Sequence, residues 1–566
     1  MTPRLRRFLP VLVLLPAFLV AYGVNFRTPQ VGDSMAHLLQ AASLTRDGDY
    51  ALDEYRPLLK RLAGVELPYY VHECEGHLRS LFNYFPALLL APAFRLARAV
   101  LGSDFECNPI AWGLTGKVVA SLMIFVAGGL LWLLLRCRVG TPIALIALLG
   151  LWFGSSVWTT TIDYRQHHPM LMFQAAALLV LFGDGATNRR PWFFAGGFLL
   201  ALSVISRYQT VLSALLVSAV VVVRDRRHPD LPRFFLGGAL PLLPTLLYHQ
   251  AAFGHPLKGE PALPFLTFDQ SILKNLVALL FNPNKGLLVH SPWLVFAGAA
   301  LLWLRPVRDP NPRRVDPLLL TCLLAPLPLV VLYAKMNQWY GGWSWGYRFL
   351  TDVLIYLIVL AAFGLSRVWS RRPWRMVSVG LLVVSVVLQA LGALTFDYNW
   401  HCLNDSGLTP HTHWIWQVRQ GQFAYYACRG RVYIGSQPYQ LWPNPFAARG
   451  LHGIERWPGG QRVRWTAGQG RFLYSARLRS CQLPVFPNPT ATAGDGLRIT
   501  LFPPDAPPIV ADLMPNRWNY VPIPSVPFQH ARMMRFRVER TWSEGSRPDC
   551  RRLGVALPAR MALDGD

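Results

Sequence analysis

Apolar runs of about 20 residues, long enough to cross a hydrocarbon core, alternate with polar connections through the first two thirds of the chain. Spans are predicted at 8–23, 110–135, 142–161, 168–183, 192–206, 208–223, 233–252, 288–304, 317–334, 349–366 and 375–396. After residue 396 the pattern changes. Short runs such as Arg471 to Leu478, Leu497 to Phe502 and Met534 to Glu539 alternate apolar and polar residues between Pro and Gly clusters, which is the period of half-buried strands. The pattern therefore predicts a polytopic α-helical membrane domain of about eleven transmembrane helices over 1–396, then a mainly-β domain over 397–566, a β-sandwich by its strand spacing.

Arginines orient the bundle. Arg4, Arg6 and Arg7; Arg136 and Arg138; Arg189 and Arg190; Arg224, Arg226 and Arg227; Arg305, Arg308, Arg313 and Arg314; and Arg371, Arg372 and Arg375 fall in alternate connections. Basic residues near helix ends stay on the cytoplasmic side, so the amino terminus is expected inside and the tail outside. The likewise apolar Phe85 to Leu101 carries Arg95 and Arg98. Counting it as a crossing would invert every later connection, so it is expected to lie on the outer leaflet as an amphipathic helix. The first span resembles a signal peptide without a convincing cleavage site and is kept as an anchor.

Composition fits this division. Hydrophobic residues make up 52% of 566, yet mean hydropathy is only +0.28, because the tail is of ordinary polarity. The net charge of +25 is in large part topological arginine facing anionic headgroups, so no nucleic-acid partner is expected. No glycine-rich phosphate loop is present, so an activated donor should arrive on a membrane carrier. Cys74, Cys107, Cys402, Cys428, Cys481 and Cys550 all fall outside, where pairing is permitted. A Cys74 to Cys107 bridge and two tail bridges of open connectivity are expected, with Cys137 and Cys322 free. His72, Cys74, Glu75 and His77 crowd together but match no zinc spacing.

The first outer loop, 24–109, is too long merely to turn around. Asp33 stands there at the start of a helix, where it either caps the following backbone N–H groups or faces a cavity. The string Gly32-Asp33-Ser34, followed by Ser43-Leu44, Arg46-Asp47-Gly48-Asp49 and Leu52-Asp53-Glu54-Tyr55, resembles the first loop of bacterial GT-C glycosyltransferases. So do Gly76 to Ser80, Gly286 to Pro292 and Gly342 to Asp352, in the same order over roughly residues 1–400. That family includes the protein mannosyltransferases and the lipid A aminoarabinose transferases.

The resemblance implies transfer of one sugar from a polyprenyl phosphate to an acceptor hydroxyl on a glycan, lipid or protein outside the cytoplasm, by an enzyme of the inner (plasma) membrane. It implies no cofactor and no metal. Asp33 is the matching general base, although many relatives have Asp-Glu where this chain has Asp33-Ser34. Asp53 and Glu54 are weaker alternatives. Asp163, His167 and His168 form a second polar cluster, and Asp163 and His168 are not separable as its working member. Arg348 lies outside against the arginine rule and suits a departing phosphate. Arg207, Lys285 and Lys335 are further phosphate candidates, or snorkel to headgroups. Trp339, Tyr340, Trp343 and Trp345 either stack on sugar or form an aromatic belt. The rival class is a non-enzymatic transporter or scaffold, or a relative that has lost catalysis. A transporter would place its charges near the midplane in two related halves, whereas these gather at one interface.

Overall fold

A computed structural model of the chain describes residues 9–24, 32–56, 59, 67–68, 70–105, 108–183, 191–257, 268, 270–301, 316–396, 400–401, 415–419, 421–429, 449–456, 462–474, 482–487, 497–503, 506–515, 517–523, 532–539, 542–543, 552–553 and 555–558. It is a polytopic helical bundle followed by a small β domain. The helices are α1 (Leu9–Gly23), α2 (Gly32–Arg46), α3 (Phe85–Leu101), α4 (Pro109–Val139), α5 (Thr141–Trp152), α6 (His167–Phe182), α7 (Pro191–Ser206), α8 (Val211–Asp225), α9 (Leu231–Phe253), α10 (Ile272–Phe281), α11 (Pro317–Leu324), α12 (Pro326–Lys335), α13 (Leu354–Val368), α14 (Arg372–Thr395) and α15 (Gln422–Arg429). Among the described residues seven stretches are long and apolar enough to cross a membrane, and α1, α6 and α7 are shorter apolar helices.

Two departures from the expected spans have local causes. The stretch expected as one span at 288–304 is broken into turns, Leu287–His290, Pro292–Val295 and Phe296–Ala299. Pro292 disfavours helical backbone at the residue before it, and Ser291 there has ψ +65°. The other departure is α10, which falls in none of the expected spans. Its ten residues bury Asn275, Ala278 and Leu279 while Leu273 and Val277 stay exposed, a one-sided pattern too short for a span.

Helices pack closely where side chains are absent. A Cβ on Gly197 of α7 would collide with the Phe234 carbonyl of α9, and one on Gly237 would collide with the Phe194 carbonyl. Small residues of this kind let membrane helices approach backbone to backbone.

The long loop after α1 has its own core. Residues 34–43 of α2 are all buried, and Leu38, Leu39, Leu78, Phe82, Leu90, Phe94, Trp112 and Tyr164 pack together around it. A hairpin of β1 (Val71–Cys74) and β2 (His77–Ser80) leans on this core. On its two faces α3 buries Leu90 and Phe94 and exposes Leu96 and Val100. Arg98 also donates to the Thr45 carbonyl at 3.1 Å, fixing the far end of α2.

In the tail, β3 (Arg449–Arg456), β4 (Arg462–Tyr474), β5 (Gln482–Pro487), β6 (Arg498–Phe502), β7 (Ile509–Asp512), β8 (Asn519–Pro522), β9 (Arg532–Val538), β10 (Trp542–Ser543), β11 (Arg552–Leu553) and β12 (Val555–Pro558) are antiparallel. Eight of them join in one continuous sheet, ordered β7-β6-β9-β4-β12-β5-β8 with β3 beside β4. Instead of two separate sheets, its ends share one core, with Leu483, Val485 and Val521 packed against Ile499, Leu501, Met534 and Phe536.

Candidate active site

Residues 34–43 of α2 are buried, and its half-buried first turn meets the helical bundle. There the half-buried Asp33 carboxylate pairs with the Arg348 guanidinium, whose side chains are only 14% and 11% exposed. Arg348 opens a 3-10 helix, Arg348–Val353, and is delivered by a loop that turns sharply at Gly346. That residue has φ +61°, and a Cβ on it would lie 2.9 Å from His290 Nδ1. The sequence therefore needs glycine there on two counts.

Ser34 reaches the second carboxylate by hydrogen-bonding Asp163. Arg165 grips Asp163 with Nε at 2.6 Å and Nη2 at 3.1 Å. Lys117 of α4, buried and absent from the sequence-based candidates, adds positive charge beside Asp163. Burial raises the Asp163 pKa above the ordinary carboxylate value, against the opposing pull of Arg165, Ser34 and Lys117. Two carboxylates, Asp33 and Asp163, thus stand among three cations, Arg348, Arg165 and Lys117.

A second layer lies one turn deeper. His37, four residues after Asp33 and so on the same helical face, is fully buried. Burial is the main cause that lowers its pKa to about 3, with Arg207 and His167 adding repulsion. On the 3-10 helix, four residues after Arg348, Asp352 accepts from three donors: His167 Nδ1 at 2.7 Å, Arg207 Nε at 2.5 Å and the Tyr333 hydroxyl. Asp352 is not among the sequence-based candidates. An ionisable residue opening an apolar run is costly in a membrane, and that is the signal that could have found it.

The remaining candidates lie in other surroundings. Arg207 is 2% exposed and donates from Nε to Asp352 at 2.5 Å, which ties it to the 3-10 helix. Lys285 is buried and spends its ammonium on the Gly342 carbonyl at 3.1 Å, the Ser344 carbonyl at 2.6 Å and His401 Nε2 at 3.0 Å. Three donors are then used. Burial, with Lys285 beside it, holds His401 well below the ordinary histidine pKa. Lys335 ends α12 with no contact to the Asp33 pair among the described residues.

His168 is a loop staple. Its Nε2 meets Thr161 Oγ1 at 3.2 Å and its Nδ1 the Arg165 backbone carbonyl at 2.9 Å. Trp339 and Trp345 are core residues, 3% and 2% exposed, and Trp345 packs edge-on to His290, Phe423 and Tyr426. Tyr340 and Trp343 remain half-buried at the loop surface.

Asp53 and Glu54 belong to the far end of α2. Asp53 accepts from the Leu78 N–H at 2.9 Å and pairs with His77 Nδ1 at 2.7 Å, fastening the hairpin. Burial raises its pKa, but these two partners and Arg56 outweigh that and leave it below the ordinary value. Glu54 lies near Ser43, and its pKa is raised chiefly by burial. Ser43 is ten residues from Asp33, about 15 Å along the helix.

Cys74 is a buried free thiol and Cys428 an exposed one, against the expected bridges. Cys74 packs instead against Leu81, Ala252 and Phe253. Cys107, Cys402, Cys481 and Cys550 lie outside the described residues. Cys137 and Cys322 are free.

Neither a protein-family model nor a curated protein matches the chain. Among solved structures it is similar to ArnT from Cupriavidus metallidurans bound to undecaprenyl phosphate, at 13% identity and a TM-score of 0.40, covering 68% of this chain and 75% of that one. For the apo state of the same protein the values are 12% and 0.43, with 68% and 75% covered. The oligosaccharyltransferase of Archaeoglobus fulgidus tethered with an acceptor peptide gives 11% and 0.46, covering 76% of this chain and 61% of that one. Likenesses this remote carry no argument about chemistry, and the site is read from its own residues.

Proposed function

We propose that the chain is a membrane glycosyltransferase of the GT-C type. It moves one sugar from a polyprenyl-phosphate donor to an acceptor hydroxyl on the extracytoplasmic side, with inversion at the anomeric carbon. The observation that carries this reading is the Asp33–Arg348 pair, joining an acid from the first outer loop to a cation some three hundred residues later. Motifs quoted from the sequence contain both residues.

The geometry suggests an order of events. At rest the two charges satisfy each other. A donor phosphate entering the site competes for Arg348, because arginine binds phosphate oxygens in a fork, and the Asp33 carboxylate is released. Asp33 then takes the acceptor hydroxyl proton as that oxygen bonds to the anomeric carbon. The bond from that carbon to the phosphate oxygen breaks, its electron pair leaves with polyprenyl phosphate, and Arg348 holds the developing negative charge. Arg165 and Lys117 add positive potential, and Tyr340 and Trp343 are the aromatic candidates for stacking on the sugar.

The test is mass analysis of cell-envelope glycans from cells that lack the protein and carry a complementing copy. Asp33→Asn should lower transfer about a hundredfold to ten-thousandfold, and Arg348→Gln about a hundredfold to a thousandfold. A charge-swapped Asp33→Arg/Arg348→Asp protein can regain the ion pair but not the chemistry, and should stay inactive while folded. Full transfer by Asp33→Asn would remove the base from the scheme.

A further inference from the structure

The short helix α10 has two unlike sides. Asn275, Ala278 and Leu279 are buried, and Leu276 and Leu280 pack partly into the main core. On the other side Leu273, Val277 and Phe281 are all exposed, Leu273 by 75%. Positions four apart advance only about 40° around a helix, so these three form one apolar ridge. Exposed Lys274 follows Leu273 directly and borders the ridge on the side of Phe281, as the same geometry requires.

Hydrogen bonds fix the level at which this ridge stands. Asn275 Nδ2 donates to the Ala334 carbonyl at 2.9 Å, and the Gln270 N–H donates to the Lys335 carbonyl at 3.2 Å. Both acceptors lie in the last turn of α12, where carbonyls have no partner within their own helix. Together α11 and α12 make the apolar stretch Pro317–Lys335 of 19 residues, about 28 Å long as a helix. The hydrocarbon core is about 30 Å thick, so the stretch just spans it. One end is marked by Asp316, paired with Arg138, and Lys335 therefore stands at the opposite boundary. Being held to that end, α10 stands there too. Its ten residues measure about 15 Å, too short to cross.

An apolar ridge at that level meets hydrocarbon on one side and water on the other, and its composition selects the hydrocarbon. Helices with one apolar face and a basic border lie in the interface plane with that face at the acyl boundary. The helix that α10 caps also exposes Leu327 and Val331, which belong to the lipid-facing surface of a spanning stretch. Lysine can bury its stem beside such a ridge while its ammonium stays with headgroups.

We infer that α10 lies along the membrane surface with Leu273, Val277 and Phe281 among phospholipid acyl chains, and that it anchors the end of α12 there. The carbonyl held by Asn275 is next in sequence to Tyr333, whose hydroxyl donates to Asp352. The lipid surface is thereby tied to the layer beneath Arg348. This placement rests on the fold and not on the transferase reading.

The test uses the full-length protein in phosphatidylcholine nanodiscs, where both membrane faces are open to solvent and orientation does not enter. Phosphatidylcholine carrying a diazirine on its acyl chain should, on illumination, label Leu273, Val277 or Phe281 of the unsubstituted protein, read by peptide mass spectrometry. Leu273→Cys and Val277→Cys, each made separately, should react with a membrane-impermeant maleimide at least tenfold more slowly than the exposed native Cys428 in the same sample. Reaction as fast as that of Cys428 would overturn the inference and leave the ridge in water. Slow reaction without acyl labelling would also overturn it, and would assign the ridge to another protein surface. Acyl labelling abolished by one equivalent of polyprenyl phosphate would overturn it in favour of the carrier lipid.

Discussion

At the residue scale, the two charges of the site are legible because each breaks a rule. Asp33 is an acid in a loop longer than a turn requires, and Arg348 is a cation on the side where the orientation rule places few. Residues that obey a bland rule mislead. Lys285 and Arg207 look like free outer cations, yet the fold turns both inward onto carbonyls and a carboxylate, which no local spacing announces. His37 is hidden in the sequence for the same reason. Its pKa lies near 3 in the folded protein, from an ordinary 6.5, so between these values the unfolded chain binds the extra proton. The contribution of His37 is fully present above pH 6.5 and is lost as pH falls toward 3. Thermal unfolding of the detergent-solubilised protein should therefore move to lower temperature as pH falls from 7.5 to 5. In His37→Gln that slope should be shallower; an identical slope would place the sensitivity elsewhere.

At the element scale, helices that cross the membrane are readable from length and hydropathy alone, since lipid demands unbroken runs. Elements that depend on partners are not. The 3-10 helix Arg348–Val353 reads as the opening of an apolar span, but it is held by Asp352 beneath it, with donors from α6, α12 and the start of the turn before α8. On the proposed scheme Asp352 acts as a positioning residue for Arg348. Removing one partner of a buried ion pair typically costs about 3–5 kcal/mol. Asp352→Asn, which leaves Arg207 buried without its anion, should lower the unfolding temperature clearly and lower transfer with it. Asp33→Asn should lower transfer with a much smaller thermal effect, because its partner is less buried. Comparing the two by thermal unfolding and glycan analysis tests the division of labour: equal thermal losses would mean that both carboxylates are structural.

At the scale of the whole molecule, the alternating arginine clusters and the single long outer loop set the expected orientation, and every inference about an outer site inherits it. The fold supplies two native reporters of that orientation. Cys137 near the end of α4 and Cys428 in α15 are both exposed free thiols, and the arginine pattern places them on opposite sides of the membrane. A membrane-impermeant maleimide applied to sealed spheroplasts should therefore modify Cys428 and spare Cys137, whereas permeabilised membranes should yield both, as read at the peptide level by mass spectrometry. Cys322, fully buried in α11, should resist under either condition. Were Cys137 modified in sealed cells and Cys428 protected, the tail and the Asp33–Arg348 pair would face the cytoplasm, where a water-soluble nucleotide sugar is available. The argument for a lipid-carried donor would then fail with the topology, even if the ion pair itself were real.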